Sequence, residues 1–188
     1  MTTEMLSYEK GLSKLRRSIR NRPVGIVCSG LSLEELETRI EEFASFDICW
    51  LGINKEVEIN TFLSKAGHKL DLAVIFPREY NPDTFTTPTY KNSKGRGNSL
   101  QELLLQLIEL RIPTVYLFGA DGYSDKEEKE YYIKGGSRGT RQTHIDDVNY
   151  LNKTFPKDTD GTKIYNVCPQ SKYEPFERIT YDKCLSLL

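Results

Sequence analysis

The chain has 188 residues and a formal net charge of −1, from 26 basic and 27 acidic side chains. At about 150 residues per domain we expect one domain, and 38% hydrophobic with 28% charged residues is typical of an ordered globular chain rather than a disordered one. The near-neutral charge argues against a general nucleic-acid binder, and the lack of any run of about 18 apolar residues argues against a membrane span.

The first 22 residues predict a helical extension rather than a targeting signal. The stretch 10–22 is basic, but no apolar segment follows it. Leu12, Leu15 and Ile19 are spaced as one stripe of a helix. We expect a surface helix packed through this stripe, with a membrane-surface helix as the alternative, and a core at about 23–176 within a single domain 1–188.

Strands and helices alternate along the rest of the chain. Short apolar runs predict strands at 23–29, 47–53, 70–76, 114–118 and 163–167, and helical spacing predicts helices at 33–43, 55–65, 99–111 and 144–155. Residues 80–98 have no period and predict a long loop, a kind that is usually functional or disordered. Gly67 is expected to end the second helix. The order predicts one α/β Rossmann-like domain, with a mostly parallel sheet and helices on both faces.

The turn after the first strand, CSGLSL, predicts a place where backbone N–H groups face an anion. Gly30 separates the strand from the next helix, and Ser32 with Glu35 forms a capping-box pattern. The turn matches neither GxGxxG nor GxxxxGK[ST], which argues against a dinucleotide fingerprint and excludes a P-loop. A purely structural turn is the alternative.

Two further strand or helix ends carry polar residues. Asn98 and Ser99 begin the helix that follows the long loop, where they could hold a phosphate or serve as a plain N-cap. Asp121 follows the fourth strand and could bind a metal with Asp125, or act as a turn residue before Gly122.

Tyrosines and cations follow the fourth strand. The three tyrosines are Tyr123, Tyr131 and Tyr132. A phenol can donate a hydrogen bond to a phosphate leaving group without adding charge, and packing is the alternative role. Lys134, Arg138 and Arg141 surround three glycines, which predicts either a mobile basic lid or a solvated loop.

His144 is the candidate acid or base because histidine is the residue type most often used for proton transfer near neutral pH, with capping or surface exposure as the alternative. The cysteines are Cys28, Cys49, Cys168 and Cys184. No CxxC pair occurs, so no zinc site is expected. The first three lie in apolar runs and are expected to be small buried hydrophobic residues. We therefore expect a reducing, cytoplasmic location, with disulfide pairing of the four cysteines as the alternative.

These motifs, in this order, resemble the bacterial family 42 sialyltransferases and the wider 6-hydroxymethylpterin pyrophosphokinase-like group. CSGLSL resembles the family's GNGPSL, and LGIN resembles its CN motif, which matches Asn54 to a nucleotide-contacting asparagine. Asn98 and Ser99 match its Thr-Ser pair. The segment from Gly119 resembles GIDFY, which matches Tyr123 to a phosphate-contacting tyrosine, and KIYNVCPQS resembles LYCLCPNS. The resemblance spans about 24–176.

The resemblance implies a glycosyltransferase that uses a nucleotide-activated sugar, such as a cytidine monophosphate sugar, without a metal cofactor. Tyr123 and either Tyr131 or Tyr132 would stabilise the leaving phosphate, and His144 would be the base. The implied nucleotide-binding residues are Ser29, Gly30, Ser32, Asn54, Asn98, Ser99 and Asp121.

The chain departs from the family at one important position. The family's catalytic histidine corresponds to a position near Gly139, and His144 stands five residues later. Two alternatives therefore stay open. One is a pyrophosphokinase that uses magnesium, for which Glu79 is the single carboxylate after the third strand. The other is a non-catalytic nucleotide-binding or interaction protein. The sugar, the acceptor and the oligomeric state stay open as well.

Overall fold

The computed structural model describes residues 5–6, 8–53, 56–75, 89–91, 99–123 and 141–188. The strands in this part of the chain are β1 (Met5–Leu6), β2 (Val24–Val27), β3 (Cys49–Ile53), β4 (Leu72–Ile75), β5 (Thr89–Lys91), β6 (Thr114–Phe118), β7 (Lys163–Asn166) and β8 (Glu177–Arg178). The helices are α1 (Tyr8–Ile19), α2 (Leu33–Arg39), α3 (Glu56–Leu63), α4 (Ser99–Glu109), α5 (Arg141–Thr154) and α6 (Tyr181–Leu187). Short 3₁₀ turns continue α2 over Ile40–Phe43 and α3 over Ser64–Ala66.

The strands form one sheet in the order β1-β5-β4-β3-β2-β6-β7-β8. All seven pairings among the described strands are parallel. This confirms the predicted α/β class with a parallel sheet. After β2 the chain adds β3 and β4 on one side, and it later returns to place β6 on the other. The crevice between β2 and β6 is therefore the switch point at which ligands bind in open α/β sheets.

Alternating side chains of the central strands build a hydrophobic core on each face of the sheet, as the side-chain period of a strand requires. In β6, Val115 and Leu117 pack with α1, α4 and α5, whereas Tyr116 and Phe118 pack with α2, α3 and α6. The predicted placement of helices on both faces is confirmed. Because both faces are covered, the strands have the continuous apolar runs that are typical of parallel sheets.

The two ends of the chain also join this core. Leu15 and Ile19 of α1 are buried, which confirms the predicted stripe, and β1 pairs with β5 at the edge of the sheet. At the other end, Tyr181 and Cys184 bury one face of α6. Packed structure therefore extends on both sides of residues 23–176.

The structure corrects one predicted element and confirms where another ends. The prediction of a structureless loop over 80–98 is wrong in part, because β5 lies within it and pairs with β4 and β1. The strand β5 has only three residues, which are too few to show the alternation of apolar and polar side chains that marks a strand. The second predicted helix ends as expected, at Gly67 with a φ of 75°. No helix in the described ranges is long and apolar enough to cross a membrane.

Two leucines of α4 provide a matched test of the packing. Leu103 is fully buried against the sheet, and Leu105 on the same helix is 40% exposed. We expect Leu103→Ala to lower the free energy of unfolding by about 2–5 kcal/mol, because it removes buried methyl groups and leaves a cavity. Leu105→Ala should change it by less than about 0.5 kcal/mol. Urea unfolding measures both values, and equal losses would contradict the placement of α4.

Candidate functional site

Three turns meet at the carboxyl edge of the sheet because β2, β6 and β7 are neighbours in it. They are residues 28–32 after β2, residues 119–123 after β6 and residues 167–172 after β7. Backbone hydrogen bonds join them: Gly30 N–H donates to Gly119 O over 2.8 Å, and Lys172 N–H donates to Asp121 O over 2.8 Å. The middle turn is thus held from both sides.

The side chain of Asp121 connects the first two turns. Its Oδ2 accepts a hydrogen bond from the backbone N–H of Ser32 over 2.8 Å, and its Oδ1 accepts one from the hydroxyl of the same serine. The Tyr181 hydroxyl donates to Ser32 O over 3.2 Å, so α6 is attached at the same point. We call the contact between Ser32 and Asp121 the switch-point junction. It joins the start of α2 to the end of β6 across the crevice.

The predicted capping box at Ser32 is wrong. Ser32 does precede α2, but its side chain makes no cap hydrogen bond, and its φ of −64° and ψ of −8° are helical rather than extended. The hydroxyl instead bonds to the carboxylate of Asp121, and hydrogen bonds to a carboxylate are stronger than those between neutral groups. The anion that faces this turn is therefore a side chain of the protein itself.

Gly30 lets the two turns approach each other. A Cβ at this position would lie 2.5 Å from Asp121 Oδ2 and 2.5 Å from Gly119 O. Such distances exclude every larger residue unless the turn after β6 moves. The glycine that the sequence marks as a possible anion-facing position is thus required by the switch-point junction.

Two thiols lie near the same carboxylate. Burial, and then the negative charge of Asp121, raise the pKa of Cys28 to about 12 and that of Cys168 to about 11. Thiols with such pKa values stay protonated at neutral pH and are poor nucleophiles. Cys49 and Cys168 are buried as predicted. Cys28, which was also expected to be buried, keeps part of its surface exposed to solvent.

A buried polar network fixes the third turn against the second. Asn166 is fully buried at the end of β7. Its Nδ2 donates to Ala120 O over 2.9 Å and to Ser171 Oγ over 2.8 Å, and Ser171 Oγ donates to Ala120 O over 2.7 Å. Sequence reasoning missed Asn166, although an amide at the end of an otherwise buried strand was a usable signal.

A polar pocket of about 230 Å³ opens between this third turn, α5 and the residue Tyr123. Its lining residues are Tyr123, Val148, Asn149, Asn152, Gln170, Ser171, Lys172, Glu174 and Arg178. The Lys172 ammonium lies 5.7 Å from the centroid of the Tyr123 ring, a cation–π distance. The side chain of Asn152 positions the wall of the pocket, because it donates to Lys172 O and accepts from Glu174 N–H, each over 3.0 Å. A phenol, two cations and the carboxylate of Glu174 thus line this space.

The other predicted residues fall in several places. His144 lies half-buried in the first turn of α5, one turn before the pocket residue Val148. Burial raises the pKa of Asp147 above its usual value, and the nearby His144 side chain lowers it by a smaller amount. Ser29 is partly exposed in the first turn, and Ser99 is the buried first residue of α4. Several residues singled out in the sequence lie outside the described residues: Asn54, Glu79, Asn98, Asp125, Tyr131, Tyr132, Lys134, Arg138 and Gly139.

Fold and site together define an α/β protein with a parallel Rossmann-like sheet and a polar pocket beside its switch point. Comparison of the chain with protein-family models, with curated proteins and with solved structures finds no match.

Gly30→Ala tests the switch-point junction. We expect the added methyl group to lower the free energy of unfolding by about 1–3 kcal/mol, because it collides with Asp121 and with the backbone of Gly119. Ser29→Ala in the same turn is the matched control and should stay within about 0.5 kcal/mol of the parent. Chemical unfolding of the two variants decides the matter. A Gly30→Ala variant as stable as its control would show that the turns do not pack this closely.

Proposed function

We propose that the chain is a glycosyltransferase that uses a nucleotide-activated sugar, with a cytidine monophosphate sugar as the donor. The observation that carries the proposal is the polar pocket at the carboxyl edge of β6 and β7, which Tyr123, Lys172 and Arg178 line together. Ligands of open α/β sheets bind at this edge. The resemblance of the motifs to family 42 sialyltransferases supports the choice of donor.

The chemistry of the pocket supports a phosphate as its occupant. Lys172 and Arg178 supply the positive charge that a phosphate attracts, with charge-assisted hydrogen bonds. When the bond between sugar and phosphate breaks, negative charge grows on the phosphate oxygen. The Tyr123 hydroxyl would donate to this oxygen, and such a bond speeds the reaction when it strengthens in the transition state.

The switch-point junction supports separate binding places for the two parts of the donor, the nucleoside and the phosphate. The N–H and hydroxyl of Ser32 already bond to Asp121, and this carboxylate would repel a phosphate at the start of α2. The nucleoside, whose hydroxyl and amino groups can donate to a carboxylate, fits there better. In this proposal Ser29 and Gly30, together with Asn54, contact the nucleoside, while the phosphate lies beside Tyr123.

The remaining predicted residues complete the proposed site. His144 would take the proton of the attacking acceptor hydroxyl, and Tyr131 or Tyr132 would give the second hydrogen bond to the leaving phosphate. Asn98 and Ser99 would hold the phosphate from the start of α4. The four cysteines carry free thiols, which supports our proposal of a reducing, cytoplasmic location.

Binding of cytidine monophosphate tests the position of the phosphate. We expect this nucleotide to raise the melting temperature without added metal, since a ligand at 100 times its dissociation constant adds about 2.7 kcal/mol of stability. Lys172→Gln should weaken binding by roughly tenfold, because it removes a charged hydrogen-bond donor. Lys183→Gln changes an exposed lysine of α6 outside the pocket, and it should bind like the parent. Calorimetric titration gives the affinities.

Three results would contradict the proposal. Stabilisation by adenosine triphosphate with magnesium, and by no cytidine nucleotide, would favour the pyrophosphokinase alternative. Stabilisation by no nucleotide at all would remove the nucleotide site. Nucleotide binding without transfer to any acceptor would favour the non-catalytic alternative.

Tyr123→Phe tests the chemical role of the phenol. We expect the rate of the chemical step to fall by roughly tenfold to a thousandfold, with the loss of a single donor to a developing anion as the upper guide. Donor affinity should change little, because the ring and its contact with Lys172 remain. Tyr150→Phe on α5, whose tyrosine is 52% exposed, is the control. Single-turnover rates separate binding from chemistry, and equal rates in both variants would make Tyr123 a packing residue.

A further inference from the structure

Helix α1 and the turn after it carry a dense group of positive charges. Residues 8–22 contain six cations and a single carboxylate, that of Glu9, although the whole chain has a net charge of −1. The cations are Lys10, Lys14, Arg16, Arg17, Arg20 and Arg22. No residue of this segment lines the polar pocket. The group of charges is therefore separate from the proposed nucleotide site.

The fold turns most of these charges toward solvent. Leu15 and Ile19 are buried in the core, so their side of α1 faces the sheet. At 3.6 residues per turn, Arg16, Arg17 and Arg20 point away from that side, and all three are exposed. We call four cations of this segment the basic face of α1: Lys14, Arg16, Arg17 and Arg20.

The basic face differs from the structural cation beside it, Arg22. The Arg22 guanidinium forms ion pairs with Asp71 over 2.7 Å and with Asp47 over 3.3 Å. Within the described ranges, by contrast, no member of the basic face forms an ion pair with a carboxylate. Like charges that lie close together on one helix repel each other, and an anionic partner would offset this repulsion.

The opposite face of the sheet carries the opposite charge. The helix α1 packs into one core of the sheet, and α2 packs into the other. The exposed carboxylates of α2 and of the 3₁₀ turn after it are Glu34, Glu35, Glu41 and Glu42. An extended anionic surface would therefore attract one side of the molecule and repel the other, which fixes the orientation of the protein on it.

The position and shape of α1 favour a flat partner. It packs on β1 and β5, at one edge of the sheet, whereas α4 packs on β4 and carries Glu102 and Glu109. A surface at this edge can therefore contact α1 without contacting the carboxylates of α4. Proteins that bind single-stranded nucleic acid stack its bases on aromatic side chains, and none of residues 9–20 is aromatic. These features favour a lipid surface over nucleic acid.

We propose that the basic face of α1 binds the protein to a membrane that contains anionic lipids. A group of about four to eight Lys and Arg side chains on a helix is typical of such binding. The apolar stripe of α1 is buried in the protein's own core, so the helix contributes charge and does not insert into the lipid. The proposal is independent of the nucleotide site, because the two share no residue.

Sedimentation of the full chain with lipid vesicles tests the partner. One set contains phosphatidylcholine alone, and the other contains phosphatidylglycerol as well. We expect binding to the anionic vesicles only, and its loss as salt rises from about 0.1 M to about 1 M, since the Debye length falls from about 10 Å to about 3 Å. Equal binding to both sets, or binding that salt leaves unchanged, would overturn the electrostatic contact. Binding of RNA or duplex DNA without binding of anionic vesicles would overturn the membrane as the partner.

Combined substitution of the three exposed arginines tests the surface. Arg16→Gln, Arg17→Gln and Arg20→Gln together should weaken binding to anionic vesicles by roughly a hundredfold, given the contribution of each cation near such a surface. Lysine at the same three positions keeps the charge and should keep most of the binding. Thermal melting of both variants checks that the fold is retained. Loss of binding in the lysine variant as well would contradict a purely electrostatic contact.

A second triple variant is the matched control. Lys69→Gln, Lys157→Gln and Lys183→Gln together remove the same charge from exposed positions outside α1. We expect this variant to bind anionic vesicles almost as the parent does. Equal weakening in the arginine-to-glutamine variant and in this control would mean that only the total charge matters, and it would overturn the assignment to the basic face of α1.

Discussion

The carboxylate of Asp121 is the contact on which the arrangement of the carboxyl edge depends. It bonds to both the backbone N–H and the hydroxyl of Ser32, a residue 89 positions away in the chain. In the sheet these residues follow β6 and β2, the two strands between which the direction of chain winding reverses. Parallel strands leave such a crevice open at this point. Here a charge-assisted pair of hydrogen bonds spans it and fixes the distance between the two halves.

The polar pocket beside the junction follows from the same constraint. The backbone of Asp121 accepts a hydrogen bond from Lys172 N–H, and the buried amide of Asn166 joins Ala120 to Ser171. The turns after β6 and β7 therefore form one rigid corner, on which Tyr123 and Lys172 are presented together. In the function that we propose, this corner of two turns on adjacent strands would hold a phosphate without a P-loop, whose pattern the sequence does not contain.

The sequence allows prediction of the elements whose signal is local. The strands β2 and β6 are apolar runs, and α4 repeats leucines at helical spacing. The kind of each element and its approximate position can therefore be predicted from the sequence. By contrast, β1, β5 and β8 have two or three residues each and no measurable period. Pairing with a neighbouring strand creates them, so they depend on the assembled sheet.

The candidate site is predictable only in part, for a related reason. The rule that strand ends carry the site singles out Asp121 and Tyr123, and both lie in the turn after β6 at the carboxyl edge of the sheet. The local capping rule fails at Ser32, because a carboxylate distant in sequence offers its hydroxyl a stronger partner than the α2 backbone does. The helix α6 was missed because the Thr180 cap that starts it and its two buried residues form a short pattern in a mixed tail.

A double-mutant cycle over Ser32→Ala and Asp121→Ala tests the switch-point junction most directly. The free energy of unfolding is measured for the parent, both single variants and the double variant. Residues that share a hydrogen bond in the folded state show a coupling energy of about 0.5–3 kcal/mol, and for a bond to a carboxylate we expect about 1.5–3 kcal/mol. Losses that add to within about 0.3 kcal/mol would show that the two side chains act independently. That result would contradict the account of how the carboxyl edge is held together.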